Sequence, residues 1–109
     1  MRQGFVAANE VDLDGNPAGG FVRGTGLAID WQSGPLGRGE DRKEPSGAFV
    51  EDVIAAVIQR IRYYQETSEG RFRCRENALA ITHLEEGLHW LDARTAEREA
   101  RAVEGLHLA

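Results

Sequence analysis

The chain has 109 residues, 41% apolar and 28% charged, with a formal net charge of −5. That length suits one domain, residues 1–109, and the chain has no run of about 18 apolar residues to span a membrane. Met1-Arg2-Gln3-Gly4-Phe5 lacks the apolar core of a secretory signal, and the lone Cys74 excludes an internal disulfide framework, so a soluble cytosolic protein is expected.

The chain changes grammar near Glu44-Pro45-Ser46-Gly47. The first 47 residues hold 10 of the 13 glycines and all three prolines. Residues 5–13 suit a strand, and Asp14-Gly15-Asn16-Pro17 is a strong turn signal. Phe21-Val22-Arg23 is a short second strand. From 26 to 32, Leu27, Ile29 and Trp31 alternate with Ala28, Asp30 and Gln32, the pattern of a half-buried third strand. Three antiparallel strands are expected, with too few large apolar groups to be stable alone. The polar, glycine-rich stretch 33–45 is a surface loop, or a cradle for an anion built from backbone amides with Arg38, Arg42 and Lys43.

Residues 46–105 read as a helical hairpin. Ser46 is placed to cap the first helix, and Glu51 and Asp52 sit where a helix dipole favours acids. Phe49, Val53, Val57, Ile61 and Tyr64 recur at helical spacing, flanked by Val50, Ile54 and Ile58. The helix is expected to stop around 65–67. A second helix starts near Cys74 to Glu76, and its Ile81, Leu84, Leu88 and Leu91 follow the spacing of an antiparallel helix pair. Its polar continuation over 92–104 overhangs the first helix, and the core is thin for one protomer, which together imply a homo-oligomer. The fold class is α+β, a small N-terminal antiparallel sheet packed on a long C-terminal antiparallel helical hairpin.

Acidic residues outnumber basic ones 18 to 13, which argues against a coat for a nucleic-acid polymer. Twelve of the 13 basic residues are nevertheless Arg, with Lys43 the exception. The guanidinium fork matches phosphate, although a GC-rich genome also produces an Arg excess. Around the inter-helix turn, Arg71, Arg73 and Arg75 alternate with Phe72 and Cys74 directly before a helix start, a place where free amides and Arg forks receive anions. Tyr63, Tyr64 and Phe72 offer rings for stacking on a base. The alternative is a capped turn whose arginines pair with Glu66, Glu69 and Glu76. Glu86-Gly87-Leu88-His89 has the Glu-x-x-His spacing of di-iron bundles, but the first helix offers no histidine, so no metal or other cofactor is expected. No nucleophile elbow or triad occurs, and the chain gives no basis for catalysis. The acidic balance and the long inter-helix connection also count against a helix-turn-helix DNA-binding regulator.

The stretches Gly47-Ala48-Phe49-Val50-Glu51-Asp52-Val53-Ile54 and Cys74-Arg75-Glu76-Asn77-Ala78-Leu79-Ala80-Ile81-Thr82-His83-Leu84-Glu85-Glu86-Gly87-Leu88-His89-Trp90-Leu91 resemble the helical hairpin of phage anti-defence sponges. The nearest resemblance is to the first Thoeris anti-defence family, with the anti-CBASS cyclic-nucleotide sponge sharing the hairpin. Asp30-Trp31-Gln32-Ser33-Gly34-Pro35-Leu36-Gly37-Arg38-Gly39 and Arg94-Thr95-Ala96-Glu97-Arg98-Glu99-Ala100-Arg101-Ala102-Val103-Glu104-Gly105 also resemble it.

The resemblance implies a non-enzymatic protein of the infected bacterium's cytoplasm. It would assemble as dimers and hexamers and sequester a cyclic ADP-ribose isomer or cyclic di- or trinucleotides. It also implies an aromatic and an asparagine at the adenine, for which Tyr63, Tyr64 or Phe72 and Asn77 are the matching positions. Arg38, Arg73 and Arg75 match the phosphate role, and Arg94, Arg98 and Arg101 a separate basic ring in a hexamer. The rival expectation is a structural or interaction hairpin, a phage accessory protein without a nucleotide ligand.

Overall fold

The computed structural model describes residues 4–37 and 39–101. Two compact units divide the chain. In the first, strands β1 (Val6–Val11), β2 (Pro17–Gly24) and β3 (Leu27–Trp31) form an antiparallel sheet in the order β1-β2-β3. The register pairs Val6 with Arg23 and Val22 with Ile29. At the first turn Asp12 Oδ1 accepts from the backbone N–H groups of Asp14 and Asn16, and β2 opens on Pro17. β2 is longer than the Phe21-Val22-Arg23 segment expected, because Pro17-Ala18-Gly19-Gly20 joins the ladder without a side-chain period to announce it. On β3, Ile29 and Trp31 are half-buried, while Ala28 and Asp30 face solvent.

The loop after β3 is tied off at its base. The Gln32 amide oxygen accepts from Ser46 N at 2.7 Å and from Gly47 N at 3.2 Å. Gln32 N donates to Ala48 O and Ala48 N donates to Asp30 O, at 2.9 and 2.7 Å, in a parallel bridge between Trp31 and Ala48. A Cβ on Gly47 would meet Asp30 O at 2.5 Å, so only glycine permits this approach. Ser46 therefore does not cap the first helix. Its Oγ accepts from Ser33 N at 3.2 Å, four residues before the helix begins, and loop closure wins over the local capping preference. Leu36 is the buried anchor of the loop, which turns through a short 3-10 segment at Gly39–Asp41.

The second unit, residues 50–97, holds α1 (Val50–Gly70) and all but the last three residues of α2 (Arg75–Ala100), which form the hairpin. Glu51 and Asp52 occupy the first turn of α1, as their sign favours. Regular helix runs over residues 50–66. Thr67 then turns extended at ψ 156°, and Ser68, Glu69 and Gly70 follow with φ of 50°, 58° and 81°. The inward face of α1 is Ile54, Ile58, Ile61 and Gln65, all buried or half-buried, and that of α2 is Asn77, Ile81, Leu84, Leu88, Leu91 and Thr95. Both alternate steps of three and four, the spacing of a coiled-coil seam. The seam takes Ile61 from the expected stripe and joins it to the flanking Ile54 and Ile58, while Val53 is half-buried and Val57 and Tyr64 are exposed. Arg62 Nη2 ties the helices together at 2.8 Å from Glu85 Oε2. Full burial of an aliphatic side chain is worth about 1.5–3 kcal/mol, and only Ile58 and Ile81 among the seam aliphatics are buried, so the hairpin core is thin. Among the described residues no helix is long and apolar enough to cross a membrane.

Candidate functional site

The inter-helix turn is built around one buried amide. Gln65, at the last inward position of α1, is only 9% exposed. Its Nε2 donates to Cys74 O at 3.1 Å and its Oε1 accepts from Cys74 N at 2.9 Å, so one side chain satisfies both backbone groups of the residue that precedes α2. Cys74 in turn caps α2. Its carbonyl accepts from Ala78 N at 3.2 Å, and its Sγ accepts from Asn77 N at 3.4 Å. A thiol replaces the usual hydroxyl or carboxylate cap, which weakens that bond. The left-handed residues Ser68, Glu69 and Gly70 reverse the chain between these two anchors, and Arg73 N donates to Gly70 O at 3.1 Å.

This scaffold carries Phe72, Arg73, Arg75 and Asn77 along the turn and the first turn of α2. Phe72 is half exposed, with the Arg71 guanidinium 5.4 Å from its ring centroid, so it faces solvent rather than plugging a core. Arg73 Nε donates to Gln65 O at 3.1 Å, which fixes its stem along the turn. Arg75 is exposed at the first residue of α2, and Asn77 is half-buried at the third. Tyr63 and Tyr64 lie in the last regular turn of α1, both exposed. Among the described residues, none of Arg71, Arg73 and Arg75 is ion-paired with Glu66, Glu69 or Glu76. Three guanidinium groups therefore stand around the start of α2 without an ion pair among the described residues, next to an exposed ring. Such a place can hold a phosphate and stack a base.

The other predicted residues lie elsewhere. Arg94 and Arg98 are on the final turns of α2 and Arg101 follows its end, with Arg94 about 26 Å along the helix axis from Asn77. They belong to a place separate from the turn. Arg38 lies outside the described residues. In its loop, Arg42 N donates to Gly39 O and Lys43 N donates to Leu36 O, so these amides close the loop rather than cradle an anion. Glu86 turns back to His83 Nδ1 at 3.3 Å, and His89 lies edge-on to Trp90, so the Glu-x-x-His pair does not converge. Among the described residues no group of three or more His, Cys, Asp or Glu could hold a metal ion. Gln65 escaped the sequence reading, although its place four residues after Ile61 continues the seam and marks it as inward-facing.

Two comparisons bear on this geometry. The family model described as Acb2/Tad1, hairpin domain matches residues 26–96, which run from the start of β3 to within the last turns of α2. A curated relative, "Thoeris anti-defense 1" of Bacillus phage SBSphiJ7, is 49% identical over 79 residues, 72% of this chain and 51% of the relative. The chain thus spans about half the length of that relative, and β1 and β2 precede the matched family region. With most of its length inside the family model and the seam, the turn and the α2 start all in the matched span, the chain belongs to the Acb2/Tad1 hairpin-domain family.

Proposed function

We propose that this protein is a non-catalytic sponge that sequesters cyclic nucleotide immune signals and so blocks a bacterial anti-phage defence. The ligand is a cyclic ADP-ribose isomer, with cyclic di- or trinucleotides as further ligands. The observation that carries the reading is the set of arginines around Phe72 at the start of α2 that form no ion pair among the described residues. Family membership and the anti-defence name of the phage relative support it. Charge-assisted bonds from Arg73 and Arg75 hold the phosphates, each worth about 1.5–3 kcal/mol. A ring among Phe72, Tyr63 and Tyr64 stacks on the base for about 1–3 kcal/mol, and Asn77 pairs with its edge. Arg94, Arg98 and Arg101 serve a second nucleotide site between copies, and Arg38 adds to phosphate binding. Retention needs no acid or base, only enclosure.

Enclosure comes from neighbouring copies. Val50, Val57, Leu79 and Trp90 are large apolar groups left exposed on the hairpin, Trp90 at 72%. A homo-oligomer, dimer or hexamer, buries them and closes the site, in the cytoplasm of the infected host. The test is to mix purified protein with the cyclic ADP-ribose isomer, pass it through a size filter, then denature the retained protein and identify released small molecules by mass spectrometry. Depletion of the filtrate and release of the intact isomer are expected. A cleaved product would make the protein an enzyme. An oligomer that retains nothing would make it a structural hairpin, for which the exposed Trp90 is the favouring observation.

A further inference from the structure

Arg60 has no part in the site as described so far. It stands on α1 three residues before Tyr63 and four before Tyr64, spacings that put side chains on one helix face. Its guanidinium carbon lies 5.2 Å from the Tyr63 ring centroid and 4.9 Å from that of Tyr64. Its Nη2 donates to Tyr64 Oη at 3.1 Å. The two rings meet edge to face, 5.6 Å between centroids and 71° between planes. Three exposed side chains thus contact one another on one face of α1.

That arrangement carries a net positive charge. The helix neighbours of Arg60 at the same spacings are Ala56, Val57, Tyr63 and Tyr64, and none is acidic. Among the described residues Arg60 takes part in no ion pair, whereas Arg23 and Arg62 pair with Asp30 and Glu85. A guanidinium has five N–H donors, and the structure gives one bond from this group, to Tyr64. The rings also restrict its rotamers, which removes part of the ordering cost that a long side chain meets on binding. A guanidinium set against two rings, with spare donors and no ion pair among the described residues, fits a phosphate, whose oxygens match its fork. The same rings lie within reach of an attached base.

We propose that Arg60, seated on Tyr63 and Tyr64, is a phosphate-clamping residue for the cyclic nucleotide. The assignment rests on the sponge reading above and adds a residue to it. Tyr63 and Tyr64 then have two roles, holding the cation and flanking the base. Because the fork is what matters, lysine is a poor substitute.

The experiment titrates the full chain with the cyclic ADP-ribose isomer by calorimetry at about 50 and 200 mM salt, where screening of an exposed charge differs strongly. Wild type, Arg60→Gln, Arg60→Lys and Tyr64→Phe are compared, with helicity and oligomer size measured for each. Arg60→Gln is expected to raise Kd about 10- to 100-fold and to flatten its salt dependence, with helicity and size unchanged. Arg60→Lys restores the salt dependence but little of the affinity, and Tyr64→Phe, which loses only the tether, falls between. Wild-type affinity in Arg60→Gln overturns the inference and leaves the sponge reading standing. Wild-type affinity in Arg60→Lys overturns the fork-based clamp. A wild-type protein that does not bind the isomer overturns both.

Discussion

The Gln65 amide offers the sharpest test of how the turn is held. Replacing it with leucine keeps a buried side chain of similar length and removes both bonds to Cys74, at 3.1 and 2.9 Å. Each is worth about 1 kcal/mol net; Cys74 O keeps its bond from Ala78 N, and because Cys74 is exposed, water can satisfy the freed amide. The expected loss is therefore about 2 kcal/mol, reduced somewhat by the better transfer energy of leucine. Gln65→Glu goes further. One carboxylate oxygen still accepts from Cys74 N, but the other faces Cys74 O at a site where the charge is desolvated, and the nearby α1 and α2 termini act on it with opposite sign. Its pKa in the folded state is pushed above the unfolded value. Such a group favours folding while protonated, and that contribution disappears as pH rises through the folded pKa. Gln65→Glu should thus be less stable than Gln65→Leu at pH 7 and more stable near pH 4, where a protonated acid donates to Cys74 O again. Thermal melts of the three proteins across pH read this directly, since about 1 kcal/mol moves Tm by roughly 4–8 °C in a chain of this size. Equal melting temperatures for wild type and Gln65→Leu would refute the role of the amide. Parallel pH profiles for the two variants would refute the assigned geometry.

Three other outcomes follow from local features. Ser68 and Glu69 hold φ of 50° and 58° in a region that costs a side chain energy, so Ser68→Gly and Glu69→Gly should each raise stability by about 0.5–1 kcal/mol in urea unfolding. Gly47→Ala should cost about 1–3 kcal/mol by the same measure, because its Cβ would press on Asp30 O and Trp31 C at 2.5 and 2.6 Å. Asn77→Ala should weaken retention of the cyclic ADP-ribose isomer about tenfold while oligomer size on gel filtration stays the same, since its backbone N–H, not its amide, bonds the Cys74 cap.

Periodicity made most of the architecture legible. Alternation over 27–32 marks β3, Asp14-Gly15-Asn16-Pro17 marks the first turn, and the spacing of Ile81, Leu84, Leu88 and Leu91 marks the inner face of α2. What escaped depends on contacts distant in sequence or on polar groups in apolar places. Ser46 has the chemistry of a cap, but Gln32 and Ser33 claim it for loop closure from 14 and 13 residues away. On α1 two apolar stripes compete, and only the partner helix decides that Ile54 and Ile58 turn inward while Val57 stays out. Gln65 reads as a helix-ending polar residue until its seam position is counted. Arg60 was legible in principle, because Arg60-Ile61-Arg62-Tyr63-Tyr64 puts two rings at the spacings a guanidinium reaches on a helix. The arginines of the turn were legible as residues, but their lack of carboxylate partners needed coordinates.

The thin core and the proposed task bear on one another. Gln65 holds Cys74, Cys74 caps α2, and Phe72, Arg73, Arg75 and Asn77 all lie within three residues of that cap. A ligand seated on those side chains therefore stabilises the same turn that the amide latch stabilises. Ligand present at one hundred times Kd adds about 2.7 kcal/mol to the folded state, close to the contribution assigned to the latch. In a hairpin whose seam buries only Ile58 and Ile81 among its aliphatic side chains, either amount is a large share of the total. An enzyme needs such a site to open again after each turnover. A protein whose output is retention gains from the opposite arrangement, in which opening the turn means losing both the latch and the ligand.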